Sequence, residues 1–344
     1  MRWFKSAPIQ LNVLDRIGQD ALIISRLAAA AKKQGYHVKE LVGSGGYGLV
    51  FTLSASPYPG CVLKIPWVSP ENYRVYPRVH PTGYGPSQIV QHGGATGPMG
   101  PAGIKTLAEA ETLLQEVCER QAKLGPECPL ARLYATPRFA GHLTACFEHL
   151  EGPDLRWFLQ FEPGEAPAQI PAIAEALQTL HMTFGPHGDL KPAHIFLTPQ
   201  GARFIDPVLQ PWVGSVGYSL PVSEMVFGKQ LADMTKEHVD EYRYVGDLAA
   251  LVAILVEVWG GNLGWDDMLG VNAANWGNGS RFGGNGPEAA FTEGEERIQV
   301  LPPALRGWAL SVLEIFFAQT SVTILKAGWC QRKLQELREL RFTD

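Results

Sequence analysis

Apolar residues recur at helical intervals over 11–34 (Leu11, Leu14, Ile17, Leu22, Ile23, Leu27). Lys32 and Lys33 stand just before Gly35, so the spacing predicts a helix that ends there. From Tyr36 the period becomes that of strands: VKELV, the glycine run GSGGYG, LVFTL and then CVLKI. Two strands joined by a glycine turn and followed by a third predict an antiparallel opening. Helical period returns over Thr106–Leu124, with Leu107, Ala110, Leu114, Val117, Gln121 and Leu124 on one face. Strand-like LARLYA and HLTACFEHL come next, then helical stretches near 154–160 and 168–183. The second half is mainly helical, and its most apolar stretch, Leu248–Trp259, contains Glu257 and reads as a buried core helix rather than a membrane span. No repeat is apparent. Strands first and helices later predict an α+β protein rather than alternating βαβ units.

Two segments break the periodicity. In 66–103, 14 of 38 positions are Gly or Pro, against 63 of 344 in the chain, which predicts an irregular insertion without its own core. A Gly/Asn-rich stretch at 260–287 interrupts the helical half.

Composition narrows the function classes. A net charge of −5 gives no electrostatic argument for nucleic acid or an anionic membrane as partner. Five cysteines without a CxxC pair argue against a disulfide framework or a zinc site, so a reducing cytoplasm is the expected setting. The first twenty residues contain no long apolar run, and no secretory signal is readable.

The chemistry is concentrated in PHGDLKPAHIFL (186–197) and in RFIDP, which holds Asp206. Asp189 and Lys191 two residues apart, a short strand-like run and then a second Asp make the layout of a phosphoryl-transfer site. One carboxylate faces the attacking hydroxyl, an ammonium sits near the moving phosphate, and the second carboxylate holds Mg²⁺. Upstream, Gly43, Gly45, Gly48 and Val50 fit GxGxxGxV, where glycines let backbone N–H groups approach phosphates. A dinucleotide-binding unit would lead from these glycines into a helix, whereas here the flanks LVFTLS and CVLKIP continue as strands. Lys64, on the strand after the glycine hairpin, is placed to reach nucleotide phosphates. A glutamate on the next helix would orient it. Glu109, Glu111, Glu116 and Glu119 are available, and Glu116, beside the apolar Val117, is favoured.

In this order the chain resembles a protein kinase catalytic domain of the Ser/Thr type over roughly 36–340. CVLK stands where that family has V-A-I-K, and CFEHLEGPDL resembles its hinge, with Phe147 as gatekeeper. FIDP stands at D-F-G, GSVGYSLPVSE (214–224) resembles the close of an activation segment, and GDLAALVAILVEVWGG resembles the buried helix whose leading Asp, here Asp247, ties back to the catalytic loop. Asp247 also has a plain reading as a helix N-cap. The resemblance implies a bilobal fold, with a small antiparallel β-sheet lobe over 36–150, a larger mainly helical lobe over 151–344, and 1–35 as an N-terminal helical extension. It implies ATP and Mg²⁺ or Mn²⁺ as cofactors and a protein substrate presented by Ser or Thr. Glu148 to Leu150 would offer backbone groups to adenine and Lys64 would hold the α- and β-phosphates. Asp189 and Lys191 would be catalytic, Asp206 and His194 would line the metal site, and His187 would be structural.

Three positions depart from the family pattern. Gly188 replaces the arginine of H-R-D, which in the family often pairs with an activation-loop phosphate, so control by that phosphorylation is not expected. HGD is also common in small-molecule kinases. His194 stands where the family has its metal-binding asparagine, and imidazole suits softer ions than Mg²⁺. Pro207-Val208 follows Asp206 in place of Phe-Gly, and the fixed φ of proline restricts switching of the segment. The alternatives to a protein kinase are therefore a small-molecule phosphotransferase of the same fold and a pseudokinase that binds or scaffolds.

Overall fold

A computed structural model of the chain describes residues 21–44, 48–67, 106–209, 236–260, 286–317 and 328–340. Gly45, the segment 214–224, the insertion from 68 onward and most of 260–287 lie outside the described residues. The chain divides into two compact units. Of the described residues, 21–44, 48–67, 106–119 and 132–149 fall to the first, and 120–131, 150–209, 236–260, 286–317 and 328–340 to the second.

The first unit is built on a five-stranded sheet. Its strands are β1 (His37–Ser44), β2 (Gly48–Ala55), β3 (Cys61–Pro66), β4 (Leu133–Ala135) and, after the short β5 (Arg138–Phe139) and β6 (His142–Leu143), β7 (Ala145–Glu148). The order across the sheet is β1-β2-β3-β7-β4, with each neighbouring pair antiparallel. Alternate residues point to opposite faces of a strand, and here the two faces meet different helices. Leu49, Phe51, Cys61, Leu63, Ile65 and Cys146 pack in one core with Leu27 and Ala31 of α1 (Ala21–Lys33). Ala145 joins Leu143 in a second core with Leu114 and Cys118 of α2 (Leu107–Gln121).

Helix α1 stops as its sequence predicts. Gly35 has φ +86, its N–H bonds to Lys32 O, and the Tyr36 N–H bonds to Ala31 O. That pair of reversed bonds needs a left-handed residue after the helix, which glycine supplies without a Cβ penalty. Because Leu27 and Ala31 are buried, the described part of the N-terminal extension belongs to the core of the first unit.

The second unit is mainly helical. Its elements are α3 (Leu155–Phe161), α4 (Ile170–Thr183), the hairpin β8 (Ile195–Thr198) and β9 (Gly201–Phe204), α5 (Lys236–Gly260), α6 (Gly286–Arg297), α7 (Pro303–Phe317) and α8 (Trp329–Glu339). In α4 the buried positions Ile170, Ile173, Ala174, Leu177, Leu180 and His181 follow the helical period and face a core shared with α5, α7 and α8. Leu248 to Val256 are buried without interruption, so this stretch of α5 is enclosed on all sides, as an all-round apolar sequence requires. Among the described residues no helix is long and apolar enough to cross a membrane. The α+β class, with a small antiparallel sheet and a larger helical part, is the one the sequence predicts. The elements follow in the order that the resemblance to protein kinases implies.

Candidate active site

In the first unit four of the predicted nucleotide-side residues, Gly43, Gly48, Val50 and Lys64, share one face of the sheet. Val50 lies opposite Lys64 in the β2–β3 register, and Gly43 lies opposite Val50 in β1–β2. A Cβ added to Gly48 would come within 2.8 Å of Lys64 Cε, so the absence of a side chain at 48 lets the lysine stem lie against the hairpin backbone. Lys64 is only 8% exposed, far less than an edge lysine would be. Its strand neighbours Leu63 and Ile65 point to the α1 side, which turns Lys64 to the α2 side.

Helix α2 presents Cys118 toward that lysine. Burial pushes the Cys118 thiol up to about 12, the positive charge of Lys64 opposes the rise, and Glu119 adds to it. Glu116, the glutamate favoured from sequence, is exposed, and its carboxyl is raised by partial burial and then by Glu119. Glu148 ends β7 with its N–H donated to Arg132 O at 2.8 Å, while its carboxylate accepts from Arg132 N at 3.0 Å. Leu150, two residues on, is buried and falls to the second unit.

In the second unit the catalytic candidates sit on the turn between α4 and β8. Lys191 Nζ donates to Asp189 Oδ2 at 3.0 Å, and the Asp189 side chain is almost wholly buried. Pro192–His194 forms a single 3₁₀ turn, and His194 Nδ1 donates to the Asp189 carbonyl at 2.9 Å. With Nδ1 carrying the proton, Nε2 carries the lone pair, the tautomer that a histidine ligand needs. Burial holds His194 well below the ordinary histidine range, the Lys191 charge pushes it the same way, and the ring is neutral.

His187 is fully buried and both its ring nitrogens are used. Nε2 donates to Ile205 O at 2.9 Å, and Nδ1 accepts from Asp189 N at 3.2 Å. Burial lowers its pKa, against the opposing charges of Asp247 and Asp189, and this agrees with the neutral tautomer those bonds require. His187 therefore braces the turn.

The Asp206 segment is bonded to the same turn. Ile205 N donates to His194 O at 3.1 Å, and Val208 N donates to His187 O at 2.7 Å. Between these two anchored residues Asp206 adopts φ +54. Asp tolerates the left-handed region better than most residues, yet a proline follows, and a backbone held there is fixed by its flanks. Among the described residues no cluster of three or more His, Cys, Asp or Glu could enclose a metal ion. A site for Mg²⁺ needs no such cage, since one or two carboxylates complete their shell with phosphate oxygens and waters, and Asp206 fits that donor set.

Helix α5 holds the turn from below. Asp247, 1% exposed, accepts from His187 N at 2.6 Å, Gly188 N at 2.9 Å and His181 Nε2 at 2.8 Å. Burial alone would raise its pKa, but the His181 bond and charge, His187 and the Gly188 N–H outweigh it and leave the carboxyl below its ordinary value. Arg243, one helical turn earlier, donates from Nη2 to Val208 O. Sequence reasoning identified Asp247 but missed His181 and Arg243. Their signals are present in the spacing: His181 is six residues before His187, and Arg243 is four before Asp247, on the same helix face.

No protein-family profile matches this sequence, and no curated protein matches it. Among solved structures, PpkA-294 in its apo form is similar at 14% identity with a TM-score of 0.47, over 89% of this chain and 96% of that one. The PknI kinase domain of Mycobacterium tuberculosis is similar in a single-mutant form at 18% identity with a TM-score of 0.43, over 89% of this chain and 95% of that one. Its double-mutant form is similar at 19% identity, with the same TM-score of 0.43 and the same coverage of 89% and 95%.

Proposed function

We propose that the chain is an ATP-dependent protein kinase that transfers the γ-phosphoryl group of ATP to Ser or Thr hydroxyls. The observation that carries this reading is the Lys191–Asp189 contact of 3.0 Å, on a turn bonded through His187, His194 and Val208 to the segment that bears Asp206. Asp189 orients the acceptor hydroxyl and takes its proton. Lys191 Nζ offsets charge on the phosphoryl oxygens, since catalysis of this transfer is chiefly positioning and electrostatics.

Asp206 and His194 Nε2 would hold Mg²⁺ or Mn²⁺, which when bound neutralises charge on the β- and γ-phosphate oxygens. Imidazole beside a carboxylate favours Mn²⁺ more than an amide oxygen would. Gly43, Gly45, Gly48 and Val50 line the phosphates, and Lys64 binds the α- and β-oxygens with Glu116 as its orienting carboxylate. Glu148 and Leu150 contribute backbone groups to adenine. Since the Glu148 N–H is already donated to Arg132, its contribution is the carbonyl.

Incubation with γ-labelled ATP, Mg²⁺ or Mn²⁺ and generic protein substrates tests the reading. Label on Ser or Thr that disappears in Asp189→Asn is the expected result. Label on a sugar or amino alcohol with none on protein makes the chain a small-molecule phosphotransferase instead. No transfer of any kind, with nucleotide binding indifferent to metal, makes it a binding module and overturns the proposal.

A further inference from the structure

Gly188 and Val208 approach each other more closely than any side chain at 188 would permit. Gly188 has φ +76, and a Cβ there would stand 2.6 Å from Val208 O and 3.0 Å from Arg243 Nη2. The space beside the catalytic turn is thus already filled, by a carbonyl of the Asp206 segment and by a guanidinium that donates to that carbonyl. Arg243 is 6% exposed, so the bond is shielded from water. Val208 in turn donates its N–H to His187 O at 2.7 Å, and Asp247, four residues after Arg243 on α5, accepts from the N–H groups of His187 and Gly188. One helix face therefore holds the turn by an anion and the segment by a cation, and the two held strands of backbone are bonded to each other.

We propose that Arg243 is a positioning residue, which fixes the 206–208 segment against the catalytic turn through Val208 O and so keeps Asp206 in register with Asp189 without any added charge from outside the helix. Arginine suits the task because it remains charged when buried and its donors lie in a rigid plane. A charge-assisted bond inside a water-excluded loop is among the stronger single bonds a protein makes. The consequence for Asp206 is direct, since Val208 lies two residues on, beyond a proline whose φ does not vary. The link to turnover rests on the phosphoryl-transfer reading above; the link to backbone order does not.

Backbone hydrogen exchange on Arg243→Met and Arg243→Lys separates the two. Methionine keeps the packing volume and removes the charge, whereas lysine keeps a charge and a donor. Exchange of a peptide spanning 204–209 is expected to quicken about tenfold or more in Arg243→Met, with most of the protection restored in Arg243→Lys and peptides of α7 unchanged. If phosphoryl transfer is present in the wild type, kcat should fall about tenfold in Arg243→Met with the KM for ATP altered less than about twofold. Absence of transfer in the wild type would sink the kinase reading and leave the exchange result to stand. Equal exchange over 204–209 in wild type and Arg243→Met, or equal loss of protection in the methionine and lysine variants, overturns the positioning role. Should Arg243→Met fail to fold, the wild type decides: the Arg243 guanidinium protons must exchange more slowly than those of the exposed Arg156, and equal rates overturn the proposal.

Discussion

Gly188 occupies the place where the kinase resemblance has an arginine, and restoring a side chain there should damage the protein. Gly188→Ala is the smallest such change. Its first cost is conformational, since an L-residue at φ +76 loses about 1–2 kcal/mol relative to glycine. The second is steric. The new Cβ would meet Val208 O at 2.6 Å, and that atom is not the yielding end of a side chain but a carbonyl fixed by Arg243. Moving it far enough breaks the Arg243 bond and strains the Val208 N–His187 O bond of 2.7 Å. Loss of one bond to a charged group costs about 1.5–3 kcal/mol. Together these amount to roughly 2.5–5 kcal/mol, which is a large share of the net stability of any domain. Urea denaturation followed by tryptophan fluorescence should show a lower midpoint at unchanged slope, and Gly188→Arg should be at least as harmful. A midpoint for Gly188→Ala equal to the wild type would refute the argument, because it would mean that neither the left-handed backbone nor the approach of Val208 is present in solution.

Two further outcomes follow from the buried titratable groups. Asp247→Asn keeps the shape but places an NH₂ against at least one of the N–H groups of His187, Gly188 and His181. It should lower stability by about 2–4 kcal/mol and quicken exchange over 186–189, and unaltered exchange there would contradict the assigned bonds. Burial holds His187 and His194 below the ordinary histidine value, so both stay neutral in the folded chain at a pH where the unfolded chain protonates them. Their contribution is complete above about pH 6.5 and falls as pH drops through the window below, by up to about 1.4 kcal/mol per pH unit for each ring. Urea midpoints taken from about pH 7.5 downward should show that slope, reduced in His194→Asn, whereas a pH-independent midpoint would show that neither ring is buried neutral.

The strands and helices were legible because their sequence periods match their surroundings. The alternation in CVLKI turns Leu63 and Ile65 to one core and Lys64 to the other face, and the 3.6-residue pattern of α4 marks its buried side. The antiparallel pairing of β1 with β2 and the turn at Gly35 were likewise readable, the first from the strand period on either side and the second from a local backbone need. Which glutamate of α2 serves Lys64 was harder to choose. Sequence gives the buried stripe of a helix only to within a residue or so, and on this helix the exposed Glu116 stands directly beside the buried Val117 and Cys118. Gly188 was readable as a departure, but its cause was not, because the cause is the carbonyl of Val208, 20 positions later, held there by Arg243, 55 positions later in the chain. A contact of that kind belongs to packing, and no period encodes it.

The carboxylate of Asp247 and the guanidinium of Arg243 stand on the helix whose next residues, Leu248 to Val256, are sealed in the core of the second unit. The turn bearing Asp189 is therefore not a separate surface loop with a melting behaviour of its own. Its opening requires either that the five hydrogen bonds joining it to Asp247, Ile205 and Val208 be released together or that α5 itself come loose. Heat or denaturant should then abolish the site in the same transition that dissolves the core, with no milder regime in which the fold persists and the turn wanders. A chain arranged in this way gives up graded control at the turn, and any regulation of it has to arrive through some other part of the molecule.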